Sequence, residues 1–233
     1  MRKLFGGIIM KKLVLALTLV FSLGLMVNAQ AGLVGTYYNL ADSHPDMQSN
    51  ITGLNTGMVE NMLTGATPTL TAYGQTQVNQ FDWWDDAYMV GQRVDSDADL
   101  QSNFASSWFP QIANTGLPGD PFHFAVHWTG TFYVAEDKEY TYSMGSDDDS
   151  WLFIDNQLTL DLGGVHGLSY DSYTVNLTQG YHNIDIFFAE RHTVQSGFQL
   201  NFFSDLNPVP EPTTMVLVGL GLAGFGLIRR RRS

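Results

Sequence analysis

Phe122-His-Phe-Ala-Val-His-Trp128 alternates without a break. Phe122, Phe124, Val126 and Trp128 fall on one side, and His123, Ala125 and His127 on the other. A period of two is the signature of a strand with one face in an apolar core. Working outward, Thr129-Gly130 offers a turn before a further apolar stretch from Thr131 to Val134. Tyr140, Tyr142 and Met144 repeat the alternation. Trp151 to Ile154 is a short apolar run, and Asp155-Asn156-Gln157 turns into Leu158, Leu160 and Leu162. Ile184, Ile186 and Phe188 define another strand, and Phe198, Leu200 and Phe202 the last. Short strands at this spacing, with no helical periodicity between them, predict an all-β fold: an antiparallel β-sandwich or barrel. Residues 41–120 are richer in Asn, Gln, Thr, Ser, Gly and Asp, and read as long loops and a few strands of the same domain.

Both ends read as addresses. Lys11 and Lys12 precede an apolar core from Leu13 to Val27, and Ala29-Gln30-Ala31 is a small-x-small cleavage site. This pattern predicts a secretory signal peptide over residues 1–31, with Met10 an alternative start. The β domain follows over 32–206. Residues 207–233 form a tail in three parts: Pro210-Glu211-Pro212, an apolar run from Thr214 to Ile228, and Arg229 to Arg232. Fifteen residues make a helix of roughly 22 Å. Tilt and snorkelling arginines let that length serve as a single transmembrane helix, with the arginines held inside. The same three parts resemble the PEP-CTERM sorting signal. The resemblance implies export, a transient inner-membrane anchor, and removal of the tail by an exosortase-type processing enzyme.

Charge limits the partners. Between Gly32 and Pro210 the basic residues are Arg93, Lys138 and Arg191, against 22 acidic ones, a net of −19. Such a surface repels nucleic acid and anionic lipid and attracts cations, so nucleic-acid binding is excluded. The chain has no cysteine, so core burial, with or without a bound ion, must hold the exported domain together in place of disulfides.

Gly145-Ser-Asp-Asp-Asp-Ser-Trp-Leu-Phe-Ile-Asp155 sets Asp147, Asp148 and Asp149 side by side between two strands. Adjacent carboxylates repel, and a hard cation such as Ca²⁺ relieves that repulsion. A solvated acidic turn is the alternative. Asp95-Ser-Asp-Ala-Asp99 also begins like a calcium loop, but Leu100 replaces the turn glycine and Ser106 the bidentate Glu. His166, Glu190 and His192 raise acid–base or zinc chemistry, yet no nucleophile and no close His-x-x-x-His spacing accompany them. The expectation is therefore a protein that is not an enzyme, with Glu190-Arg191 a structural ion pair. Trp83 and Trp84 read either as platforms for sugar rings or as buried anchors.

Gly32-Leu-Val-Gly-Thr-Tyr-Tyr38, Val126-His-Trp-Thr-Gly130 and Ser146-Asp-Asp-Asp-Ser-Trp-Leu-Phe-Ile-Asp155 together resemble the protective-antigen-type domain (the PA-fourteen module). Asp161-Leu-Gly-Gly-Val-His166 and Phe187-Phe-Ala-Glu-Arg-His192 resemble its fibro-slime form. In sugar-binding members two neighbouring aspartates joined by a cis peptide hold a calcium that grips sugar hydroxyls. The resemblance maps that pair onto Asp147-Asp148. Asp149 falls where many relatives carry glycine, so it is either a third ligand or a solvent-facing residue, and Asp149→Gly should be mild. The resemblance draws the second ligand loop from Arg191-His-Thr-Val-Gln-Ser-Gly197, which brings in His192, Gln195 and Ser196. It implies a calcium-dependent domain that binds extracellular polysaccharide or another glycan at the cell surface or in a biofilm matrix. The alternatives are a structural matrix protein in which calcium only stabilises the fold, and a polysaccharide hydrolase.

Overall fold

A computed structural model describes residues 32–47, 50–96, 99–103, 108–110 and 122–202. The predicted signal peptide and the sorting tail, with Pro210, Glu211, Pro212 and the apolar run 214–228, lie outside these residues. Among the described residues no helix is long and apolar enough to cross a membrane.

Among the described residues nine strands form two antiparallel sheets. They are β1 (Gly32–Asn39), β2 (Met89–Ser96), β3 (Phe124–Val134), β4 (Lys138–Asp147), β5 (Asp149–Ile154), β6 (Gln157–Leu162), β7 (Ser169–Leu177), β8 (Gly180–Glu190) and β9 (Gly197–Asn201). Six make one sheet in the order β2-β1-β3-β8-β5-β6, and three make the other in the order β7-β4-β9. Phe124, Val126 and Trp128 of β3 and Ile184, Ile186 and Phe188 of β8 face Met144, Phe198 and Leu200 of the smaller sheet. Trp128 stacks on Phe198 at 4.5 Å across the gap. The expected all-β sandwich is the observed fold.

The opposite face of the large sheet is buried too. Ala125, Trp151, Phe153, Phe187 and Ala189 form a second core with Leu40, Met58, Val59, Trp83 and Trp84. All six residues of β5 are consequently buried. The polar segment between β1 and β2 is thus a cover, pinned by a few apolar anchors onto a sheet face that would otherwise meet water. Sheets covered on both faces show continuous apolar runs in place of alternation, and Trp151 to Ile154 is such a run.

Three local readings change. Thr129-Gly130 is no turn. β3 continues through it, paired with β8 from Phe124↔Glu190 to Val134↔Gly180, and Gly130 leaves room for the Leu33 side chain. β7 carries almost no apolar signal because its residues are mostly exposed on a sheet edge. β1 and β2 were legible only through family likeness or not at all. The β5–β6 turn is as read, with Asp155 and Asn156 both at positive φ (49° and 67°). That is the primed two-residue hairpin that Asx residues tolerate best.

Asp95 is a structural hub, not part of a calcium loop. Its buried carboxylate accepts hydrogen bonds from Tyr37 Oη at 2.6 Å, Trp128 Nε1 at 2.7 Å and Arg93 Nε at 2.6 Å. Gly35 passes beneath this cluster, where a Cβ would meet Asp95 Oδ2 at 2.7 Å. The carboxylate therefore ties β2 to β1 and β3. Asp95→Ala strands two buried donors, so it should destabilise the domain by about 3 kcal/mol in urea denaturation. Asp95→Asn, which keeps one acceptor oxygen, should be milder.

Candidate functional site

The chain leaves the small sheet at Asp147, the end of β4, and enters the large sheet at Asp149, the start of β5. Asp148 lies between them, and the Asp147–Asp148 peptide bond is cis. All three side chains are buried, at 6%, 1% and 0% exposure, so their charges cannot be left to water.

Asp149 is committed elsewhere. Its carboxylate takes Arg191 Nε at 2.7 Å and Nη2 at 3.2 Å, and the Gly164 backbone N–H at 2.5 Å. Gly164 sits at φ 108°, and a Cβ there would run into the Gly53 carbonyl, so only glycine presents this N–H. The Arg191 guanidinium lies 4.8 Å above the Trp83 ring, whose own Nε1 donates to Asp46 at 3.0 Å. Asp149 is therefore neither a solvent-facing residue nor a third ligand, because a bidentate arginine already neutralises it. The expected Glu190–Arg191 ion pair does not form. Arg191 pairs with Asp149 instead.

Asp148 accepts backbone N–H groups from His166 at 2.8 Å and Arg191 at 3.0 Å. Glu190, at the end of β8, accepts the His192 N–H on Oε1 at 2.8 Å, while no N–H or hydroxyl reaches its buried Oε2 and the side chain meets the Asp148 carboxyl. One oxygen each from Asp147, Asp148 and Glu190 lie within 4.8 Å of one another. The third carboxylate of the cluster is thus Glu190, which the sequence set beside His166 and His192 as an acid–base or zinc candidate but assigned to an ion pair with Arg191. A signal existed: Glu190 continues the Ile184, Ile186, Phe188 face, so a carboxylate occupies a position in register with core residues.

Proton affinities follow the crowding. Burial, and then the Asp149 charge, pushes Asp148 up to about 7. Burial, and then the Asp148 charge, pushes Glu190 up to about 12. Asp147 is raised by burial and held back by the neighbouring His166 and His192. Without a cation, the three groups avoid their mutual repulsion only by keeping protons.

The expected second loop, residues 191–196, joins β8 to β9, and the register that sets Gly197 opposite Asp147 brings it to the cluster. Gln195 is exposed, and His192 is half-buried and close enough to Asp147 to act on its charge. Ser196 is buried, with an Oγ that has no hydrogen-bond partner. His166 holds both ring nitrogens against backbone carbonyls, of Gly167 at 2.9 Å and Leu162 at 3.0 Å, so it is spent on structure. Trp83 and Trp84 are buried at 0% and 5% exposure, and their indole N–H groups donate to Asp46 and the Val126 carbonyl. As sugar platforms they are ruled out by burial. Trp83 instead supports Arg191 from below.

The chain belongs to the PA14 domain family, which it matches over residues 29–207. Residues 208–232 match the PEP-CTERM protein-sorting motif, which marks an exported protein. Relatives include protein psiE of Dictyostelium discoideum, 29% identical over 74% of this chain and 38% of that protein. Protein psiB of the same organism is 31% identical over 72% of this chain and 33% of its own length. The chain thus spans about a third of these curated relatives. Among solved structures it is similar to the epithelial adhesin 9 A domain of Candida glabrata in complex with Galb1-4GlcNAc. That likeness has a TM-score of 0.42 and 14% identity, covering 75% of this chain and 82% of that one.

Two outcomes test this geometry. Asp149→Gly removes the bidentate carboxylate partner of the buried Arg191, so it should cost about 3–5 kcal/mol whether or not cations are present. Chemical denaturation in calcium and in chelator measures it. The second outcome concerns pH. Asp148 has its folded pKa raised, so its stabilisation is complete below about pH 4 and is lost as pH rises through about 7. In chelator the melting temperature should fall by about 4 °C or more between pH 4.5 and 8. Glu190, Asp147, Asp161 and His182, also raised, add to the fall, whereas Asp82, lowered, acts below this window. Asp148→Asn should therefore flatten the slope without abolishing it.

Proposed function

We propose that this protein is an exported, calcium-dependent glycan-binding domain acting in adhesion at the cell surface or in a biofilm matrix. One observation carries the reading: one oxygen each of three buried carboxylates, Asp147, Asp148 and Glu190, lie within 4.8 Å of one another. Burying carboxylates so close together is costly, and a hard divalent cation that takes carboxylate ligands removes the cost. The donor set fits calcium. Asp147, Asp148 and Glu190 would hold it, and the ion would offer its remaining positions to sugar hydroxyls. The acidic surface raises the local cation concentration. The bordering loop contributes His192 and Gln195 as hydrogen-bonding groups for those hydroxyls.

The binding reading is favoured over hydrolysis because two of the candidate acids and bases near the cluster have structural commitments. His166 is engaged by backbone carbonyls and Asp149 by Arg191. In this reading the apolar run 214–228 anchors the exported domain transiently in the inner membrane until an exosortase-type enzyme removes the tail.

Calcium at a hundredfold excess over its Kd should stabilise the protein by about 2.7 kcal/mol. Thermal melts in calcium and in chelator read this directly, and Asp148→Asn and Glu190→Gln should each remove most of the shift. Glycan-array binding, with Galb1-4GlcNAc among the probes, should be lost in chelator and in Asp148→Asn. Superimposable melts would refute the cation site. A calcium shift with no glycan bound would leave calcium as a structural ion only.

A further inference from the structure

The outer face of the small sheet runs directly away from the acidic cluster. Its side chains follow from the strand period: on β4 the residues opposite the core are Asp147, Gly145, Ser143 and Thr141. The register adds Tyr170 and Gln199 beside Gly145, Ser172 and Asn201 beside Ser143, and Thr174 beside Thr141. Successive rows are about 6.8 Å apart, so three steps carry this face roughly 20 Å from Asp147.

Two features separate this face from an ordinary solvated sheet. Tyr170 packs its ring against Gly145, where a Cβ would overlap it, yet the residue remains 57% exposed. A glycine at this position lets the ring rest on backbone while much of it stays open to solvent. Below it, the rows consist of hydroxyl and amide side chains, and the Thr141 and Thr174 hydroxyls share a hydrogen bond at 2.8 Å. The first charged residue on this face is Glu139, at the far end. An uncharged strip of donors and acceptors headed by an open aromatic ring matches a chain of neutral sugars, whose C–H faces stack and whose hydroxyls hydrogen-bond. It does not match an anionic polymer, which the acidic domain would repel.

We infer that Tyr170 and the polar rows below it are additional subsites for a neutral oligosaccharide or polysaccharide chain. The end sugar of that chain occupies the Asp147–Asp148–Glu190 site. The inference rests on the glycan-binding reading of that site and extends it from one sugar to a chain.

Calorimetry on the protein in calcium tests this with two probe series, galactose with β-1,4-galactotetraose and glucose with cellotetraose. At least one tetraose should bind about tenfold more tightly than its monosaccharide, the scale of one aromatic contact. Tyr170→Ala should erase that gain while leaving monosaccharide affinity and the calcium melting shift unchanged, and Tyr170→Phe should retain it. A length gain that survives Tyr170→Ala overturns the inference, as does the absence of any gain in both series. Monosaccharide binding that persists in Asp148→Asn overturns the cation-site reading instead, and separates the two failures.

Discussion

The ion pair between Asp149 and Arg191 is the contact on which the rest of this structure depends. Three consecutive aspartates are buried where the chain passes from one sheet to the other, and only one of them has a permanent counter-charge. Removing a charge from water without a partner costs several kcal/mol, so the pair must form for the crossing to be buried at all. It also draws four separate parts of the chain together. Asp149 opens β5, Arg191 opens the loop into β9, Gly164 supplies an N–H from the turn after β6, and Trp83 lies under the guanidinium from the covering segment.

With Asp149 neutralised, the remaining charge is focused on its neighbours. Asp148 receives two backbone N–H groups and Glu190 one, which orients the carboxyls without cancelling their charge. The result is a cluster that folding alone does not explain. Its groups hold protons far above their usual range because burial and mutual repulsion leave no other way to be neutral. Places where local rules are broken inside a consistent fold are where function is expected.

The second core explains why the site is rigid. The segment from Leu40 to Tyr88 is polar in composition, yet Leu40, Met58, Trp83 and Trp84 press it onto the outer face of the large sheet. Asp46 fastens the same segment by accepting from the Asn79 and Gln80 N–H groups and from Trp83. The cover, the ion pair and the acidic cluster are therefore one connected construction, resting on strands β3, β5 and β8.

By itself the sequence determined the architecture wherever one face of a strand is apolar. Alternation placed β3, β4, β6, β8 and β9, and the apolar run placed β5. Likeness in motif, not periodicity, pointed to Asp147-Asp148 as the pair at the sheet crossing. Tertiary structure alone decided the roles of groups whose partners are distant in the chain. Asp149 meets Arg191 across 42 residues, and Glu190 reaches the aspartates only because β8 pairs with β5. Trp83 and Trp84 become core because a sheet face with no other cover lies beneath them. β7 escaped notice because an exposed edge strand buries too little to shape its composition. Local pattern records which face of a strand is buried, whereas the partner of a buried charge is set by the packing of strands far apart in sequence.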